Sequence, residues 1–161
     1  MEEKTSNETI NESTNLVTQE MVDGVQKELD ETKKENKTKI YGIEIKTETV
    51  KNDILDYLDN QIEWSHMEGY GVPKVYDAIL KEKIKNGNIY LKGLELEALT
   101  FYISKYKGKG RAAAQKFVAI HNAIDPAYQL RAKDNQKEVN LQKKLESLKD
   151  ALEHNIAVDQ N

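Results

Sequence analysis

Residues 98–124 read ALTFYISKYKGKGRAAAQKFVAIHNAI: two apolar, periodic segments joined by a corner of glycine and lysine. The stretch holds Lys105, Lys107, Lys109, Arg111 and Lys116 and no acid, in a chain with 28 Asp and Glu against 24 Lys and Arg. On the upstream side, Leu96, Leu99, Phe101, Tyr102 and Ile103 predict a helix over 94–106. Downstream, Phe117, Val118 and Ile120 predict a second helix over 112–124. Gly108 and Gly110 let the backbone turn sharply between them. The corner should therefore present positive charge and free backbone amides to an anionic partner.

Working outward from this corner, the chain divides into three parts. Residues 1–38 carry ten acids and five lysines, and their apolar cluster is limited to Leu16, Val17, Met21, Val22, Val25 and Leu29. That little apolar surface does not offset the entropy of ordering, so a disordered acidic tail is expected, with a transient amphipathic helix between Leu16 and Leu29. Residues 39–125 should form the helical domain. Tyr41, Ile43 and Ile45 alternate with polar or small residues as a strand does, and Ile89-Tyr90-Leu91 is placed to pair with it. Val50, Ile54, Leu58 and Ile62 predict a helix opened by Thr47 or Thr49 and ending near Gly69. Pro73 suits the first turn of the next helix, whose apolar face is Val75, Tyr76, Ile79, Leu80 and Ile84, with Gly87 closing it. Asp125-Pro126 reads as a cap and first helical residue, so a separate long C-terminal helix with a frayed end is expected over 126–161. The expected fold class is mainly α: a compact bundle of about four helices, a short two-stranded ribbon and a long C-terminal helix.

Within that last helix Leu141, Leu145, Leu148 and Leu152 recur at intervals of four, three and four, a coiled-coil spacing. They mark a partner surface, either for a homodimer or for docking on the helix's own domain. Polar Asp134 and Glu138 occupy the preceding seam positions and end the stripe.

The segment from Ile103 to Val118 resembles the helix-hairpin-helix motif, through Ile103, Tyr106, Gly108, Gly110, Ala114, Phe117 and Val118. Lys109 stands where that family places a hydrophobic residue. A fainter copy runs over 64–79, through Trp64, Met67, Gly69, Gly71, Val75, Ala78 and Ile79, with Tyr70 between its glycines. The resemblance implies binding to the DNA backbone without sequence reading, by two hairpins related by approximate symmetry. The physics of the pattern agrees with this: amides at a helix start, the helix dipole and lysines all favour phosphate.

Several function classes are set aside on composition. With no cysteine there are no disulfides, thiolate metal sites or cysteine nucleophiles. No apolar run has the length of a membrane span, and residues 1–6 lack the apolar core of a secretory signal. His121 and Asp125 stand four apart without a third ligand, so no metal is expected. No nucleophile set or phosphate loop can be assembled, and Asp53, Asp56 and Asp59 read as a solvated helix face, so neither enzyme activity nor a cofactor is expected. Lysine outnumbers arginine 22 to 2, the bias of an AT-rich genome such as those of low-GC bacteria and their phages. The expected setting is cytoplasmic, or the host cytoplasm for a phage-encoded chain.

Two functions follow. In the first, Lys105, Lys107, Lys109, Arg111 and Lys116, with amides around Gly108 and Gly110, grip nucleic acid, DNA in preference to RNA. In the second, the acidic tail and the leucine-striped helix serve protein–protein assembly, as in a phage-type structural or chaperone-like accessory factor. The basic hinge would then be incidental or meet an acidic protein surface.

Overall fold

A computed structural model describes residues 16–159, which are mostly helical with one two-stranded antiparallel sheet. The elements are α1 (Gln19–Thr38), β1 (Ile40–Glu44), α2 (Glu48–Asp56), a π-helical turn (Tyr57–Gln61), α3 (His66–Gly69), α4 (Val72–Lys81), β2 (Asn88–Lys92), α5 (Gly93–Ser104) and α6 (Gly110–Asp159). The chain forms two compact units, one of residues 36–134 and one of 1–35 with 135–161.

The unit of 36–134 is built around the ribbon. Tyr41 pairs with Leu91 and Ile43 with Ile89, and these four side chains are buried together. The alternation legible in the sequence is thus the inward face of a real sheet. The turn leading into β2 is an Asn-Gly turn in which Asn86 (φ 53°) and Gly87 (φ 81°) both take positive φ. It is closed by reciprocal bonds between Lys85 and Asn88. Both torsions suit a tight hairpin-type turn, so Gly87 serves the strand rather than closing α4, which already ends at Lys81. Onto the ribbon pack Ile54, Tyr57 and Leu58, then Val72, Val75, Ala78 and Ile79 of α4, and Leu96, Leu99, Tyr102 and Ile103 of α5. Ile120, Ile124 and Ala127 of α6 complete this core. Phe101 and Val118, expected inward, are about half exposed.

The helix expected to reach Gly69 stops at Gln61. Asn60 and Gln61 both turn their amides onto the Asp56 carboxylate, at 2.8 and 2.6 Å, and the helix widens into the π turn. Side chains that compete for local hydrogen bonds loosen a helix end in this way. Pro73 falls in the first turn of α4, as expected.

Two boundaries move. No break occurs at Asp125-Pro126, because α6 runs through as one helix with Pro126 inside it. An interior proline removes one backbone bond and costs about 3 kcal/mol. Here Pro126 lies on the exposed side while Ile124 and Ala127 anchor the turn from within.

The expected tail is also different where it is described. In the unit of 1–35 with 135–161, α1 buries Val22, Val25 and Leu29 against Leu141 and Leu145, with Val17, Leu148 and Leu152 packed alongside. Each fully buried aliphatic side chain contributes roughly 1.5–3 kcal/mol, enough to order a helix that composition alone would leave unfolded. Residues 1–15 and 160–161, the remainder of the expected tail and the expected frayed end, lie outside the described residues.

Candidate nucleic-acid interface

The basic corner is the loop of residues 105–109 between α5 and α6. It is anchored from inside by stacked rings. Tyr106 stands 4.9 Å from Tyr57 and 5.4 Å from Phe117, and Phe117 stands 5.8 Å from His121. The Tyr57 hydroxyl donates to the Tyr102 carbonyl at 2.8 Å, and burial, with Tyr106 beside it, pushes its pKa up to about 12. With Tyr106 held inward, Lys107 and Lys109 on either side of Gly108 are exposed. A Cβ on Gly108 would stand 2.6 Å from that of Ala113, and Gly110 opens α6 at φ 82°, so both glycines are required by the path of the loop. An α-helix start leaves amides without intrahelical acceptors, and Arg111 and Lys116 on the first turns of α6 are exposed beside this one.

The five cations are not equivalent. Lys105 is half-buried, forms an ion pair with Glu68 and lies 4.9 Å above the Phe101 ring. The Lys105 ammonium, helped by the Ser65 amide at 2.8 Å, holds the Glu68 carboxyl below the usual glutamate range. Lys107 is 4.0 Å from Glu63, with both side chains more than four-fifths exposed, a geometry that contributes little. Lys109, Arg111 and Lys116 have no carboxylate within ion-pair distance among the described residues.

Segments that precede the two glycine turns, distant in sequence, meet in space. The Tyr102 hydroxyl donates to the Glu68 carbonyl at 3.1 Å, directly before Gly69-Tyr70-Gly71, and Lys105 reaches the Glu68 side chain. Between them lies an open cleft of about 570 Å³ lined by Gln61, Glu63, Trp64, Ser65, Glu68, Lys105 and Lys107. In the fainter hairpin copy Val75, Ala78 and Ile79 are buried, whereas Trp64, Met67 and Tyr70 are exposed. In the stronger copy Ile103 is buried, Tyr106 and Phe117 are half-buried, and Ala114 and Val118 are exposed.

The leucine stripe is not an open surface. Leu141 and Leu145 are buried on the chain's own α1, and Leu148 and Leu152 are half-buried beside them. Of the two expected uses of the stripe, a homodimer seam or docking within the chain, Leu141 and Leu145 are in the second. His121 and Asp125 share a second, smaller pocket of about 190 Å³ with Thr100, Ser104, Phe117 and Tyr128. Among the described residues no three His, Cys, Asp or Glu side chains gather as metal ligands, and no helix is long and apolar enough to cross a membrane.

Sequence reasoning missed a polar cluster near the start of β1. Arg131 donates from Nε to Glu97 at 2.6 Å and from Nη1 to the Asn36 carbonyl at 3.1 Å. Asp134 accepts from Lys39 at 2.7 Å and from the Tyr41 hydroxyl at 2.5 Å. Burial alone would raise the Asp134 carboxyl, but these two donors outweigh it and hold the group low. Trp64 and Glu68 were missed as site residues as well. The signal available was Trp64 as the single tryptophan, in a chain with few large apolar residues to spare for a surface. Comparison with protein-family models, with curated proteins and with solved structures finds no match for the chain.

Proposed function

We propose that the chain is a non-catalytic binding protein that grips a nucleic-acid backbone, DNA in preference to RNA, through the loop of residues 105–109 and the start of α6. The observation that carries this reading is the set of exposed cations around one helix start: Lys109, Arg111 and Lys116 without acidic partners among the described residues, and Lys107 only loosely held. Cations placed this way neutralise phosphates, and helix-start amides add donors aimed at the same anion. The contact of Tyr102 and Lys105 with Glu68, which joins the segments preceding the two glycine turns, is compatible with a paired helix-hairpin-helix arrangement. Base reading would be slight at this loop, since flexible lysines suit phosphate oxygens better than base edges. Four cations make few contacts, so affinity should be modest and strongly dependent on salt. The competing assembly-factor reading relies on the acidic tail and the leucine stripe; α1 covers Leu141 and Leu145 of the stripe, which favours the basic loop as the open surface.

The test is binding of a labelled duplex and a labelled single strand across a salt series. Wild type is compared with the Lys107→Glu, Lys109→Glu, Arg111→Glu triple variant. Binding that weakens with salt and is lost in a still-folded variant supports the proposal. A wild-type protein that ignores both nucleic acids at low salt refutes it.

A further inference from the structure

We propose that the cleft beside the basic loop takes an unstacked base of a single-stranded nucleic acid. The base would lie on Trp64 while Lys107, Lys109 and Arg111 hold the adjoining phosphates. This rests on the nucleic-acid reading above and names which form of nucleic acid the site accepts.

The Trp64 indole is in the wrong place for stability. Trp64 is the single tryptophan of the chain, yet 58% of it is exposed. Fully burying so large a ring is among the most favourable steps open to a small core, so leaving it in water forgoes stability. It is nonetheless positioned rather than loose. Its six-membered ring rests against Gly69, where an added Cβ would stand 2.6 Å from Cζ3. The same indole lines the cleft, so one part of the ring is supported by backbone and another is open. A supported, half-open aromatic ring is a stacking platform.

The surroundings select the occupant. The cleft volume of about 570 Å³ falls within the roughly 300–1,000 Å³ of small-molecule sites, ample for one planar base. Its rim on one side is the basic loop, through Lys105 and Lys107; Lys109 ends that loop and Arg111 follows on the first turn of α6. Its other lining groups are the Gln61 amide, the Ser65 hydroxyl and the carboxylates of Glu63 and Glu68. Carboxylates accept hydrogen bonds from base amino groups, and here each stands against a lysine of the rim, Glu68 with Lys105 and Glu63 with Lys107, so the lining offers acceptors to a base while Lys109 and Arg111, outside the lining, are left for phosphate. A duplex keeps its base faces stacked internally and offers none to an indole. A single strand offers one at every nucleotide, and aromatic stacking with a cationic groove is how such strands are held.

The experiment uses the full chain, a short single-stranded oligonucleotide and the same sequence as a duplex, both at low salt. Trp64 reports directly, because its fluorescence is the only tryptophan signal in the protein. The expected result is quenching by the single strand and none by the duplex. Labelled-oligonucleotide binding should then weaken by about 5- to 150-fold in Trp64→Ala, the range that loss of one stacked base gives, with most of the affinity retained in Trp64→Phe. If the duplex binds as well as the single strand, with Trp64 fluorescence unchanged and Trp64→Ala silent, base stacking is refuted while the backbone-gripping reading survives. If neither nucleic acid binds, both fall. Circular dichroism of the variants separates lost binding from lost folding.

Discussion

The cations around the basic loop differ in how they are already paired, and salt dependence counts them. Binding to a nucleic acid releases condensed counterions, so log K falls with log salt at a slope of about −0.7 per phosphate neutralised on a single strand and about −0.9 on a duplex. Lys107, Lys109, Arg111 and Lys116 are free to contribute, whereas Lys105 already neutralises Glu68. Four contacts predict slopes of about −2.8 and −3.6, so a fourfold rise in salt should cost roughly 50-fold on the single strand and 150-fold on the duplex. Fluorescence anisotropy at several salt concentrations measures the slope directly. Lys109→Ala should flatten it by about 0.7 to 0.9, and Lys105→Ala should leave it unchanged. Glu68→Gln, which releases Lys105, should steepen it by the same step. A Lys105→Ala variant that flattens the slope as much as Lys109→Ala does would refute the reasoning, because the Glu68 pairing would then not withhold that charge.

Three further predictions concern what holds the site in place. Arg131→Ala should cost about 2–3 kcal/mol, since it removes a charged bond to Glu97 and the Arg131 donor to the Asn36 carbonyl; a urea midpoint shift that, multiplied by an unchanged m-value, gives less than about 1 kcal/mol would contradict this. Glu68 has its pKa lowered on folding, so it adds stability that is complete above its ordinary value of 4.5 and is lost as pH falls through the lower, folded value. The acid limb of a stability-against-pH curve should therefore be shallower in Glu68→Gln than in wild type, and identical limbs would show that the Lys105 pair does not form in solution. Leu29→Ala should loosen α1 by about 2–4 kcal/mol, read as faster amide hydrogen exchange over residues 19–35, whereas a tail disordered over those residues would show no protection to lose.

How much of the fold was legible depended on whether a segment's partner was signalled nearby. The ribbon was readable because alternation at Tyr41 and Ile43 and the short run at Ile89 to Leu91 each report a buried face locally. The faces of α4 and α5 were readable in part, at the helical period: Val75 and Ile79, and Leu96, Leu99, Tyr102 and Ile103, are buried, whereas Leu80 and Phe101 are about half exposed and Ile84 lies beyond α4. By contrast, α1 has only Val22, Val25 and Leu29 to bury, and whether that suffices depends on Leu141 and Leu145, which fold back from the far end of the chain. Asp125-Pro126 misled because its local chemistry does suit a helix start. What overrides it is the anchoring of Ile124 and Ala127 in the core, which no window around the proline displays.

The same distinction governs the site, and it changes what an acid-free stretch means. Five cations in a run without acids look like five available charges, but a charge is neutralised by its neighbours in space. Glu68 sits on the other glycine turn and withdraws Lys105, while Glu63 merely approaches Lys107. The converse holds for Asp134, which ended the leucine stripe when judged by polarity alone. In the fold it takes bonds from Lys39 and Tyr41 and so secures the entry to β1. A half-buried acid with two donors is held in place, and an exposed cation without an acid is left to find its anion elsewhere. Among the described residues Lys109, Arg111 and Lys116 are in that second position, a few residues along the chain from Lys107, which lines the Trp64 cleft, and this arrangement makes a nucleic-acid strand the partner to test first.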